Sequence, residues 1–307
     1  MPFRRCFLCP VIAAMLTASC AKEVHRTEDG GRLRVACTTG MIADAAANVG
    51  GDRVAVTALM GEGVDPHLYK ASTGDMQRLS TADLILYNGL HLEGRMADQF
   101  ERLAKKRPTA AVTDTIDEER LRTLPGTDAH DPHVWFDVSL WMKAVERMRD
   151  ALIQVDAAGK EAYTKNAAEY LARLDELHTE TRDRIAGIPR ESRVLITAHD
   201  AFGYFGRAYD IEVMGLQGIS TESEPSLKDV NVLVDRIVER KVKAVFVESS
   251  VAPKNIEALV EGCRARGHEV RIGGQLFSDA MGRAGTPEGT YIGMVRHNVR
   301  TIVEALK

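Results

Sequence analysis

The sequence predicts an α/β protein of two lobes, each a mostly parallel sheet flanked by helices, joined by a single long backbone helix. Three observations carry this expectation. Strand-like and helical segments alternate from Leu33 to Val112 and again from Val194 to Leu306, the pattern of βαβ units. Between these stretches, Lys160 to Ile185 contains no Pro and places Tyr163, Ala167, Tyr170, Leu171, Leu174 and Leu177 at helical spacing. The chain has 307 residues, 45% of them hydrophobic, which suffices for one large or two ordinary domains.

Residues 1–19 read as an export signal: Arg4 and Arg5, a short apolar run from Phe7 to Leu16, then small Thr17, Ala18 and Ser19. The run falls short of the roughly 20 apolar residues that span a bilayer. Cys20 follows directly, and Leu16 to Cys20 resembles a lipobox with Leu one position too early. Lipid attachment at Cys20 and ordinary cleavage nearby both remain open; either places the protein in the periplasm or cell envelope. Residues 20–31 are polar and read as a tether.

The N-terminal lobe is expected over 32–140. Leu33–Thr38 is a strand, Met41–Val49 a helix, Val54–Leu59 a strand, Asp75–Ser80 a short helix and Leu84–Tyr87 a buried strand. Asn88-Gly89 makes a turn, Gly94–Lys105 a helix and Ala110–Val112 a strand. Residues 141–189 form the connection: a helix over Trp141–Val155, then Lys160–Ile185, which at about 1.5 Å per residue is a rod of roughly 40 Å ended by Gly187 and Pro189. The C-terminal lobe is expected over 190–307. Its strands are Val194–Thr197, Val242–Val247 and Val270–Gly273. Its helices are Phe202–Tyr209, Leu227–Arg240, Pro253–Ala265 and Thr290–Leu306.

A net charge of −4, 6% aromatics and no long basic stretch exclude a nucleic-acid surface. Of five cysteines, Cys6 and Cys9 fall in the export signal, and Cys37 and Cys263 sit in apolar surroundings that suit buried free thiols.

Among nine histidines, two share a tripeptide: Asp65-Pro66-His67 and Asp131-Pro132-His133, each followed by an apolar residue and an aromatic. Proline restricts its own φ and the residue before it, so each His is held by a stiff turn. The preceding Asp can bond the local backbone or a ring nitrogen, the kind of partner a ligating imidazole needs. His199 follows the apolar strand Val194-Leu195-Ile196, where ligands bind in open α/β sheets; alone, it reads rather as a buried ring bonded to backbone. Asp279 lies past the strand Val270–Gly273 and alone reads as a cap. Glu248 ends another strand, with a place behind the site or at the next helix cap both open. Asp65, Asp131, Asp200 and Glu248 are thus the carboxylates that could back the candidates. Together, two His from one lobe and a His and an Asp from the other suit Zn²⁺ and tolerate Mn²⁺.

The stretches Gly61–Tyr69, Leu86–Glu93, Asp131–Asp137, Thr197–Phe205, Gly215–Thr221 and Phe277–Met281 resemble the zinc/manganese solute-binding proteins of ABC importers over nearly the whole mature chain. The resemblance implies His67, His133, His199 and Asp279 as the four ligands and a helical-backbone metal receptor with small closure. It also implies a membrane permease as partner and a monomeric receptor without enzymatic activity. His at position 199, where some manganese members carry Glu, is similar to the zinc members. The His- and acid-rich loop of many zinc members is reduced here to Gly126-Thr-Asp-Ala-His130, so His130 is expected in solvent, as are His25, His178, His268 and His297; His91 has no evident ligand role. The competing readings are a zinc-dependent hydrolase, for which His-Glu-x-x-His and Gly-x-Ser-x-Gly are absent, and a siderophore- or cobalamin-binding protein, which would lack the inter-lobe His set. An adhesin role has no specific sequence feature.

Overall fold

A computed structural model describes residues 31–124 and 126–307 of the chain. The expected export signal, Cys20, His25 and all of the tether but Gly31 lie outside the described residues. Among those described, no helix is long and apolar enough to cross a membrane.

The N-terminal half runs β1 (Leu33–Cys37), α1 (Gly40–Gly50), β2 (Val54–Ala58), α2 (Thr73–Thr81), β3 (Leu84–Tyr87), α3 (Ala97–Ala104) and β4 (Thr109–Ala111). These strands form one sheet in the order β2-β1-β3-β4, parallel throughout. Two helices follow, α4 (Val138–Val155) and the 27-residue α5 (Lys160–Ala186). The C-terminal half runs β5 (Val194–His199), α6 (Gly203–Tyr209), β6 (Glu212–Gln217), α7 (Leu227–Arg240), β7 (Ala244–Glu248), α8 (Lys254–Ala265), β8 (Arg271–Leu276) and α9 (Tyr291–Leu306). Its strands pair in parallel as β5-β6 and β7-β8, with β5 and β7 side by side.

Side-chain alternation explains the layering. Val35 and Cys37 of β1 and Leu84 and Leu86 of β3 face a central core, while Ala36 and Ile85 face an outer one with Leu79 and Phe100. In β5 and β7, Leu195, Ala244 and Phe246 join the central core, and Ile196, Ala198 and Val245 face a second outer core with Val234 and Leu259. These four inner strands are thus buried on both faces, as parallel sheets require. The central core is continuous from β1 through α1, α4, α5 and α9 to β8.

Helix α5 braces both halves. Near its start, Asn166 donates to Val49 O and the Tyr170 hydroxyl to Asp44, both on α1. Further along, His178 pairs with the Tyr209 hydroxyl of α6, and Glu180 accepts from Arg296 of α9.

The structure departs from the sequence reading in a few places. Helix α4 begins three residues earlier than expected because Asp137 caps it, accepting from the Ser139 amide. Strand β6 was not anticipated. Gly215 in its interior weakens a strand signal, yet here a Cβ would meet the backbone of Asp200 at 2.4 Å, so glycine is what lets the two strands approach. His178, His268 and His297 are half-buried rather than in solvent, each with a hydrogen-bond partner, and His130 is half-buried 3.8 Å from Glu118. Cys37 and Cys263 are buried free thiols.

Candidate metal centre

The centre lies beyond the carboxyl ends of the parallel strands. Two of its side chains come from loops of the N-terminal half. In each Asp-Pro-His turn, an Asp oxygen accepts from the amide of the His two residues on: Asp65 from His67 at 2.8 Å and Asp131 from His133 at 3.0 Å. The turns diverge after that. The same Asp131 oxygen also accepts from His133 Nδ1 (2.8 Å), and its second oxygen takes the Arg122 guanidinium (2.5 Å). No such bond to the ring is made by Asp65, whose second oxygen accepts from the Thr221 hydroxyl (2.5 Å).

The C-terminal half supplies the rest. His199 ends β5, and Glu248 ends neighbouring β7. Glu248 accepts from the His199 amide (2.9 Å) and from ring Nδ1 (2.5 Å), which aims Nε2 away from the sheet. Asp279 follows β8 on a segment held at the backbone of Phe277 by Asn298, which accepts from the Phe277 amide (2.9 Å) and donates to its carbonyl (2.7 Å). The Trp135 indole donates to Ser278 O (3.0 Å), tying this segment to the His133 turn.

Four side chains converge. His133 Nε2 stands 3.3 Å from His67 Nε2 and 3.4 Å from Asp279 Oδ1; Asp279 Oδ2 is 3.6 Å from His67 Nε2 and 3.3 Å from His199 Nε2. All four donor atoms lie within 4.8 Å of one another, and none of the residues is more than 5% exposed. Among the described residues, His199 Nε2 and both Asp279 oxygens have no hydrogen-bond partner. A buried carboxylate without partners is costly unless a cation neutralises it. Two imidazole nitrogens facing each other likewise need a shared proton or ion between them. Three nitrogens and a carboxylate fit a borderline divalent cation such as Zn²⁺.

The electrostatics follow from the neighbours. Burial disfavours charge on the His133 ring, but the Asp131 and Asp279 carboxylates outweigh it and raise its pKa to about 9. Burial likewise opposes charge on His199, and Glu248 and Asp279 overcome it, lifting that pKa well above the usual imidazole range. Burial works to raise the Asp279 pKa, yet His199 and His133 hold it well below normal. At His67 burial dominates and lowers the pKa to about 4 despite the pull of Asp279.

The structure therefore brings together His67, His133, His199 and Asp279, with Asp65, Asp131 and Glu248 behind them. Asp200 differs: its amide donates to Gln217 O, and its carboxylate bonds none of the four among the described residues. Arg122, Trp135 and Thr221 went unassigned from the sequence. Thr221 closes the stretch Gly215–Thr221 and Trp135 follows His133, so both lay in marked segments, whereas nothing singled out Arg122.

The chain is similar to known proteins over most of its length. Residues 35–305 match the ZnuA family model, described as "Zinc-uptake complex component A periplasmic". The chain is 50% identical over 302 residues to the manganese-binding lipoprotein MntA of Bacillus subtilis (strain 168), covering 97% of this chain and 99% of that one. It is also 50% identical over 276 residues to the zinc-binding protein TroA of Treponema pallidum (strain Nichols), covering 90% and 89%. The solved structure of periplasmic zinc-binding TroA superposes with a TM-score of 0.88 over 90% of this chain and 99% of that one. With the model match spanning most of its length and half its residues shared with such relatives, the chain belongs to the ZnuA family of periplasmic metal-binding proteins.

Proposed function

We propose that this protein is the extracytoplasmic solute-binding component of a metal ABC importer, capturing Zn²⁺ or Mn²⁺ and passing it to a membrane permease. The carrying observation is the convergence of His67, His133, His199 and Asp279 from opposite halves on one buried point, with His199 Nε2 and both Asp279 oxygens unpartnered among the described residues. The cargo exchanges water for three imidazole nitrogens and a carboxylate. Glu248 and Asp131 hold the Nδ1 protons of His199 and His133, so each ring ligates through Nε2, giving up the proton there to the incoming ion.

Zn²⁺ is the tighter ligand for such a donor set by the usual divalent order, and supply decides whether Mn²⁺ is carried instead. The names of the relatives, one manganese-binding and one zinc-binding, support both cargoes. The protein works by binding rather than catalysis. A catalytic zinc keeps an open position for water, and four protein donors leave none, which argues against a hydrolase. The family match gives no support to a siderophore or cobalamin carrier.

In this reading, residues 32–140 and 190–307 are the lobes and 141–189 their connection. The receptor is a monomer, exported and held at the membrane through Cys20, a placement supported by the lipoprotein names of relatives. Calorimetric titration of metal-free protein with Zn²⁺ and Mn²⁺ tests the proposal. One equivalent should bind, and His199→Ala should abolish tight binding; undiminished binding by that variant would contradict the ligand set.

A further inference from the structure

The loop between β6 and α7 is exposed at Ser220, Glu222, Ser223 and Glu224, yet Thr221 in its midst is buried, at 7% exposure. Its hydroxyl reaches across to the N-terminal half and donates to Asp65 Oδ2 at 2.5 Å, while Asp65 Oδ1 holds the His67 amide. The loop is pinned on its own side by Gln217, whose side chain donates to Thr221 O and Ser223 O, both at 2.8 Å. Gln217 in turn pairs in register with His199 at the ends of β6 and β5. A continuous chain of bonds thus runs from the His199 strand through Gln217, Thr221 and Asp65 to His67. Beside it, Arg95 of the N-terminal half bonds Glu222 at 3.2 Å, a second crossing at the adjacent residue.

We propose that Thr221 is a positioning residue, a latch whose hydroxyl places His67 against the metal only while the two halves are in contact. This rests on the metal-binding reading above and assigns His67 a particular part in it. The other two rings are each steadied by a carboxylate on Nδ1, within their own half. His67 has no such bond among the described residues; what fixes its turn is a carboxylate shared with the opposite half. When the halves part, Asp65 loses Thr221, the His67 turn loosens, and one ligand is withdrawn while three remain steadied. The latch therefore governs release of the ion more than its capture.

The test is stopped-flow release of Zn²⁺ from loaded protein into excess fluorescent chelator, with association measured separately. Thr221→Val keeps the shape and removes the hydroxyl. It should speed release by about ten-fold or more, within the range for partners of metal ligands, and leave association nearly unchanged. Thr221→Ser should restore slow release, and melting of the metal-free protein should not differ among the three. Thr221→Ala repeats the comparison if the Val variant does not fold. Release at the wild-type rate in Thr221→Val, or release from Thr221→Ser as fast as from Thr221→Val, would overturn the latch. His199→Ala is the control: if it holds Zn²⁺ as tightly as wild type, the ligand set fails and the latch with it. If it loses Zn²⁺ while Thr221→Val behaves as wild type, the latch alone fails.

Discussion

Asp65-Pro66-His67 and Asp131-Pro132-His133 begin as the same turn, with Asp accepting from the His amide in each. They end in different surroundings. Asp131 is fully buried, clamped by Arg122, and bonds both the amide and the ring of its His. The Asp65 carboxylate is half-buried and bonds Thr221 across the halves instead of the ring of His67. The consequence is electrostatic as well as mechanical: one ring titrates near 9 and the other near 4. Identical local sequence therefore yields one ligand that is fixed and charged when the site is empty, and one that is neutral and held from the far side.

The comparison breaks most visibly if ligands are removed. Structural Zn²⁺ sites are worth roughly 10–16 kcal/mol over four ligands, so losing one forfeits about a quarter, on the order of 10²–10³-fold in affinity. His133→Ala and His67→Ala should both fall in that range by chelator competition, since both rings ligate despite their differences. A smaller effect separates the turns. Asp131→Asn should weaken Zn²⁺ binding by about 10–100-fold, as expected for a group that orients a ligand ring. Asp65→Asn, with no ring bond to lose, should cost less and act mainly on release. Equal losses in the two Asn variants would erase the distinction.

Protons sharpen it further. In the empty site at pH 7, His133 and His199 hold their protons and His67 does not. Zn²⁺ binding should release about two protons, read from calorimetry in buffers of different ionisation enthalpy. Affinity should rise with pH from 7 toward 9, and Asp131→Asn should release fewer protons than Asp65→Asn. The stability of the metal-free protein runs the other way. His133 is raised from its ordinary value near 6.5 to about 9, so its contribution is complete below 6.5 and is lost as pH rises through 9. His67, lowered to about 4, contributes above 6.5 and loses that contribution as pH falls through 4. Thermal melts of metal-free protein should therefore drop modestly between pH 6.5 and 9; a rise contributed by His133 would reverse its assignment.

Much of this could be read from sequence because it depends on near neighbours. Helical periodicity located α5 to within a residue, and the stiff Asp-Pro-His turns announced themselves through proline. The long-range bonds that hold the site together could not be settled from the sequence. Thr221 and Asp65 are 156 residues apart, Trp135 and Ser278 143, and Glu248 and His199 49. Their meeting is decided by how strands stack and by the shared core around α5, which no local pattern encodes. Strand β6 was hidden for the opposite reason: its Gly215 answers a tertiary contact with Asp200 rather than a local preference.

One measurement bears most directly on the shared site. Crystals of Zn²⁺-loaded protein, with anomalous differences collected on both sides of the zinc absorption edge, should show a single peak. It should lie about 2.0–2.1 Å from Nε2 of His67, His133 and His199 and about 2.0–2.2 Å from an Asp279 oxygen. A zinc peak elsewhere, or one ligated from only one half of the molecule, would contradict the account.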